Sequence, residues 1–122
     1  WQAPQKYDVV VLDSPCSATG TLRRHPEILH QRTPQDVARL VIIQRQMLQK
    51  ALSWLKPGGR LLYVTCSLQP EEGEGQMAAF KSKVVPFAGS EEWITPQGYL
   101  RTLPSMLADK GGMDGFFAAV LS

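Results

Sequence analysis

Two short apolar runs, Tyr7-Asp8-Val9-Val10-Val11-Leu12-Asp13 and Arg60-Leu61-Leu62-Tyr63-Val64-Thr65-Cys66, frame the first half of the chain. Each is rich in β-branched or aliphatic residues and nearly continuous, a pattern that predicts strands buried on both faces, as in a parallel sheet. Between them Thr33-Pro34-Gln35-Asp36 has the chemistry of a helix start: a capping hydroxyl, proline at the first position and an acid in the first turn. Val37, Leu40, Val41, Met47, Leu48, Ala51, Leu52 and Leu55 then recur at three- and four-residue steps, with Arg39, Arg45, Gln46, Lys50 and Ser53 largely between them. This is one apolar stripe on an amphipathic helix, stopped by Lys56-Pro57-Gly58-Gly59. Strand, helix and strand make a βαβ unit whose crossover should be right-handed.

Beyond Cys66 the pattern is less regular. A second helix is expected from near Pro70, with Glu71, Glu72 and Glu74 in its first turn and Met77 to Phe80 as apolar surface, weakened by Gly73 and Gly75. Val84-Val85 and Tyr99 to Leu103 read as short strands separated by a polar loop, Ala108 to Asp114 as a loop, and Gly115 to Leu121 as a closing strand. Residues 21–32 carry Arg23, Arg24, His25, His30 and Arg32 against Glu27 alone.

Composition narrows the picture only a little. The 122 residues are 43% hydrophobic and 20% charged, enough apolar material for a core. Thirteen Lys and Arg against eleven Asp and Glu give +2, too mild to mark a nucleic-acid binder; only local clustering such as 21–32 makes that case. Two cysteines fifty positions apart form neither a disulfide framework nor a metal-ligand spacing, which predicts no metal site and a reducing, cytoplasmic setting. No run is long enough to span a membrane, and Trp1-Gln2-Ala3-Pro4 lacks the apolar run of a signal peptide. A start without Met, almost at once in a strand, predicts a cut through a larger domain.

The candidate chemistry lies at the strand ends. Open α/β sheets bind ligands beyond the carboxyl ends of their strands. Cys16 follows the first predicted strand and Cys66 finishes the second. If those strands are neighbours, about 4.8 Å apart, the loops bearing Asp13, Cys16 and Cys66 share one crevice.

Three motifs in this order carry a resemblance. Asp13-Ser14-Pro15-Cys16-Ser17-Ala18-Thr19-Gly20 resembles the Asp-Ala-Pro-Cys-Ser motif of RNA 5-methylcytosine methyltransferases, with Ser14 where Ala is usual. Thr65-Cys66-Ser67 resembles their second cysteine motif, and Met113-Asp114-Gly115-Phe116-Phe117 their closing Asp-Gly-Phe-Phe strand. Arg23 to Pro26 and Lys56 to Gly59 fit as well, nearest to the bacterial branch acting on small-subunit ribosomal RNA; Gly73 departs, standing where many relatives carry Asn.

The resemblance implies an α/β fold: the C-terminal half of a Rossmann-like class I methyltransferase sheet, a parallel βαβ core plus a closing antiparallel strand, with residues 1–122 as a partial domain. It implies S-adenosylmethionine as methyl donor, with Asp13 and Pro15 toward that cofactor, although the family's Gly-rich cofactor loop is not among these residues, so the piece alone should be inactive. It implies Cys66 as the nucleophile that attacks cytosine C6, Asp13 as the acid facing the pyrimidine edge, and Cys16 in resolving the adduct. Arg23, Arg24, His25 and Arg32 are the expected RNA contacts. Ribosomal RNA is the expected partner, with no membrane; an unpaired edge at Tyr7–Asp13 would favour a homodimer. The rival readings are a DNA cytosine-C5 methyltransferase with Cys16 as nucleophile, a non-catalytic RNA-binding or assembly module, and an enzyme methylating an exocyclic amine. The last two leave the cysteines unexplained.

Overall fold

The structure, a computed structural model, describes residues 4–22, 24–28, 33–89, 91–103 and 114–122. Strand β1 (Tyr7–Asp13) leads through a loop and a short 3-10 turn (Thr19–Thr21) to helix α1 (Pro34–Ser53) and strand β2 (Leu55–Thr65). A 3-10 turn (Pro70–Glu72), helix α2 (Glu74–Ala79) and strands β3 (Val84–Val85), β4 (Leu100–Thr102) and β5 (Phe116–Leu121) complete it. The sheet order is β1-β2-β5-β3, with β4 also on β5. β1 and β2 run parallel, while β5 is antiparallel to β2, β3 and β4. The parallel βαβ core and the antiparallel closing strand are therefore as expected.

Helix α1 starts as its sequence dictates. Thr33 Oγ1 accepts from the Asp36 N–H at 3.2 Å, and Asp36 Oδ2 accepts from the Thr33 N–H at 3.0 Å, a reciprocal capping box. Its end differs from expectation. The helix stops at Ser53, and Leu55 already pairs with Tyr7. Lys56 to Gly59 belong to β2, where they bulge out between the Leu55–Tyr7 and Arg60–Val9 pairings. Gly58 sits in this bulge at φ +81°, a conformation that costs glycine little. The glycines thus serve a bulged strand rather than a helix stop.

A second correction concerns β1. Val9 and Val11 are 65% and 62% exposed, so the strand is not buried on both faces. Val10 and Leu12 pack against the core while their neighbours point the other way, as the two-residue period of a strand requires. The second helix is also broken: a 3-10 turn at Pro70 is followed by a separate short helix from Glu74. Gly73 lies between them against Phe117 and Arg101, where an added Cβ would meet the Phe117 ring at 2.8 Å and the Arg101 guanidinium at 2.9 Å.

The core gathers Leu48 and Ala51 of α1, Leu61 and Tyr63 of β2, Met77, Tyr99, and Phe117, Ala119 and Leu121 of β5. Phe117 is its hub. Its ring meets Tyr63 and Tyr99 edge-on at centroid distances of 6.3 and 5.5 Å, and the Arg101 guanidinium lies 5.0 Å from its centroid. Among the described residues, no helix is long and apolar enough to cross a membrane, and no group of three or more His, Cys, Asp or Glu could hold a metal ion. Phe117→Ala is expected to cost about 3–5 kcal/mol in urea unfolding, because it empties a fully buried aromatic site.

Candidate active site

The loop after β1 is fastened to the end of β2 residue by residue. Ser14 N–H donates to the Val64 carbonyl at 3.0 Å, prolonging the strand pairing by one step. The chain then turns at Pro15, passes Ala18 at φ 59°, and enters the 3-10 turn. Gly20 N–H donates to the Cys66 carbonyl at 2.8 Å, and Leu68 N–H to Thr19 Oγ1 at 2.8 Å. Gly115, at the entrance to β5, donates its N–H to the Gly20 carbonyl at 2.8 Å. The two glycines touch backbone to backbone: a Cβ on Gly20 would run into the Gly115 carbonyl oxygen. Gly115 thereby closes the site from the third side.

This lacing brings Cys16 Sγ and Cys66 Sγ to 3.4 Å, both half-buried and both free thiols. At that separation one sulfur donates to the other. The hydrogen bond from Cys66 is the largest influence on Cys16, lowering it to about 6 against the opposing effect of burial. The Thr65 hydroxyl, buried without a hydrogen bond of normal geometry, also lies close enough to lower Cys16. Cys66 is pushed well up by donating to Cys16, then by burial, by the charge on Cys16 and by that of Asp13. The pair therefore gives up one proton readily and holds the second, and the remaining proton belongs to both sulfurs.

Behind the cysteines lies a group that the sequence reading did not single out. Glu72 is fully buried. Its Oε1 accepts from Ser17 N–H at 2.9 Å and Gln44 Nε2 at 3.0 Å; its Oε2 accepts from Ser17 Oγ at 2.6 Å and from Ser67 Oγ. Gln44, from α1, also donates to the Pro15 carbonyl at 2.9 Å and accepts from Gln76 Nε2 at 3.2 Å. Arg101 Nη1 donates to the Ser67 carbonyl at 2.5 Å, and its Nη2 reaches Glu74 at 2.5 Å. Tyr63 OH donates to the Glu72 carbonyl at 2.7 Å. One signal for this network is in the sequence: Gln44 falls in register with Val37, Val41 and Leu48, a polar residue on the stripe that faces the core.

The other expected site residues lie nearer the rim. Asp13 ends β1 opposite Val64 and is exposed, with its charge felt at Cys66. Pro15 is exposed, its carbonyl held by Gln44. Arg24 is drawn into an ion pair with Asp114 at 2.5 Å, its side chain 54% exposed and that of Asp114 only 9%. That bond raises the guanidinium further, with a smaller contribution from Cys66, so Arg24 lies within electrostatic reach of the thiols. His25 Nδ1 lies 3.3 Å from Glu27 on the surface. Arg23 and Arg32 fall outside the described residues. An apolar groove of about 670 Å³, lined in part by Thr19, Ile28, Val37, Val41 and Gln69, flanks the loop, and neither cysteine lines it.

A family model described as 16S rRNA methyltransferase RsmB/F matches residues 1–122, the whole chain. The chain belongs to the RsmB/F methyltransferase family. It is 43% identical over 121 residues to the ribosomal RNA small subunit methyltransferase B of Salmonella arizonae, covering 99% of this chain and 27% of that protein. It is 47% identical over 132 residues to the protein of the same name from Shewanella oneidensis, covering 99% and 28%. The chain thus spans little more than a quarter of the curated relatives it matches. Among solved structures, NSun6 from Pyrococcus horikoshii with SFG superposes with a TM-score of 0.78 at 30% identity, over 98% of this chain and 30% of that one. A methyltransferase homologue from the same organism gives 0.72 at 30% identity, over 96% and 39%. The fold is accordingly that of the Rossmann-like methyltransferases.

The thiol pair makes a pH prediction. Labelling of Cys16 by iodoacetamide is expected to rise with pH through an inflection near 6, since the thiolate is the reactive form and appears above its pKa. Cys66→Ala removes the main donor and should move that inflection upward, toward the ordinary thiol value of about 8.5. Peptide mass spectrometry across a pH series reads both, and an unmoved inflection in Cys66→Ala would count against the shared proton.

Proposed function

We propose that the protein carrying this chain is an RNA cytosine-C5 methyltransferase acting on 16S ribosomal RNA in the cytoplasm, and that these residues form the nucleophile side of its active site. The observation that supports this most is the 3.4 Å pair of thiols at the carboxyl ends of two parallel strands, with Asp13 at the rim. Cytosine C5 is a poor nucleophile, and addition of a thiolate at C6 makes C5 electron-rich. Cys66 is the attacking group in this reading. Its proton passes across to the Cys16 thiolate, so the low first ionisation of the pair lets Cys66 react without a nearby lysine or histidine. Asp13 shares a proton with the pyrimidine edge as charge builds there. Once C5 carries the methyl group, loss of the C5 proton to a base lets Cys66 leave; in this reading Cys16 is that base, after the proton it took from Cys66 has passed to solvent.

S-adenosylmethionine, when bound, supplies the methyl group. Asp13 and Pro15, both exposed at the strand end, are the residues of this reading that would face it. Residues 1–122 alone are expected to bind the donor poorly and not to turn over. Arg24 and His25, with Arg23 and Arg32, are the RNA-contacting residues of this reading. For Arg24 this means that a phosphate competes with Asp114. Among the described strands β1 lies at the edge of the sheet, and that edge is proposed to pair with a second copy; static light scattering of the chain should report a dimer, and a monomer at all concentrations would remove that part.

One observation favours a second reading. The two sulfurs lie 3.4 Å apart and share a proton, so Cys16 in its Pro-Cys setting is as well placed to attack, as in a DNA cytosine-C5 methyltransferase. Trapping on RNA and DNA containing 5-fluorocytosine decides between them, since fluorine at C5 blocks release. In a protein of the relatives' full length, Cys66→Ala is expected to lose the covalent adduct on RNA. Cys16→Ala should still form it, more slowly, because the acceptor for the Cys66 proton is gone. The reverse pattern, or trapping on DNA alone, would replace the first reading with the second.

A further inference from the structure

The cysteines are held by their neighbours. Ser17 and Ser67 each follow a cysteine directly, and both send a hydroxyl to the same oxygen, Glu72 Oε2. Cys16 is bracketed on both sides, by Gln44 on the Pro15 carbonyl and by Glu72 on Ser17. Cys66 is bracketed by the Gly20 bond to its own carbonyl and by the grip of Glu72 and Arg101 on Ser67. Glu72 itself contacts neither sulfur in this arrangement. Its position is fixed from the far side: Gln44 is tied to Gln76, which donates to the Val41 carbonyl at 2.7 Å and accepts from Arg45 Nε at 3.1 Å. The carboxylate is thus joined to the helix that links the two strands, as well as to both loops.

We propose that Glu72 is a positioning residue: by accepting from Ser17 and Ser67 at once, its buried carboxylate sets the two cysteine loops at the separation where one sulfur can donate to the other. A carboxylate suits this task because it only accepts, and its two oxygens offer about four lone-pair sites. Here those sites meet a backbone N–H, an amide and two hydroxyls. No neutral side chain of this size offers four acceptor sites to four donors. The role in catalysis rests on the methyltransferase reading above, whereas the positioning of the thiols does not.

Two measurements separate these layers. In the 122-residue chain, Glu72→Ala is expected to move the Cys16 alkylation inflection up by about one pH unit or more, as the pair loosens toward independent thiols. Glu72→Gln keeps the shape but only one acceptor oxygen, and should give an inflection between those of the wild type and Glu72→Ala. Where Glu72→Ala loses cooperative unfolding, Ser67→Ala takes its place, because it deletes only the link on the Cys66 side. A folded variant of either kind with an unchanged inflection would overturn the proposal. In the full-length protein, methyl transfer to RNA should show a kcat lowered about a hundredfold with KM little changed, the signature of a misplaced nucleophile rather than lost binding. An altered KM at constant kcat would also overturn it. If the inflection moves but the wild-type protein transfers no methyl group to cytosine, the functional reading fails and the positioning stands. If methyl transfer is demonstrated and Glu72→Ala changes neither readout, the reverse holds.

Discussion

A carboxylate cut off from water must find donors inside the protein, because each polar partner left unmatched there costs about 1–3 kcal/mol. In this chain that requirement falls on Glu72, and the donors that meet it come from three places: the loop after β1, the end of β2, and helix α1. Satisfying one side chain therefore also sets the register of two loops and a helix. The tight backbone contact of Gly20 with Gly115 adds β5 to the same assembly. The cysteines occupy the solvent side of this arrangement, half-buried, with their flanking serines buried behind them.

The division between inside and rim matters for chemistry. Inside, the network is neutralised or fully hydrogen-bonded, and it holds geometry. At the rim stand groups that can meet a substrate: the exposed carboxylate of Asp13, the exposed ring of Pro15, and Arg24 in its pairing with Asp114. The sulfurs lie between the two layers, so their protonation is governed by each other first and by burial second. That ordering supplies an acidic thiol pair without a cationic neighbour in the adjoining sequence, which is the element a covalent reading of this family's site requires.

Much of the architecture was legible because local patterns and long-range packing agree. The capping box at Thr33, the apolar stripe of α1, the parallel pair of strands and the closing strand at Phe116–Leu121 all follow from residue spacing. The misreadings have physical causes. Lys56 to Gly59 has the composition of a helix stop, yet β2 needs the same residues for a bulge, and composition does not separate the two uses. Continuous apolar character in β1 suggested burial on both faces, whereas Val9 and Val11 face outward here. The helix expected from Pro70 begins there only as a 3-10 turn; Gly73 is held against Phe117 and Arg101, and the helix restarts after it. The two cysteines and Asp13 were legible through strand-end logic and family motifs. Glu72 was not: in sequence it is one of three acids in a polar turn, and only the third dimension shows that it points inward while Glu71 stays exposed.

Above all, this framework keeps two sulfur atoms, fifty residues apart in the chain, within reach of each other. Mild oxidation of the reduced, folded chain, followed by non-reducing peptide mapping, tests it directly. Both thiols should be lost rapidly into a single intramolecular bond joining the peptides of Cys16 and Cys66, at a rate independent of protein concentration. Slow oxidation yielding only links between chains, or two thiols that survive unlinked, would contradict it.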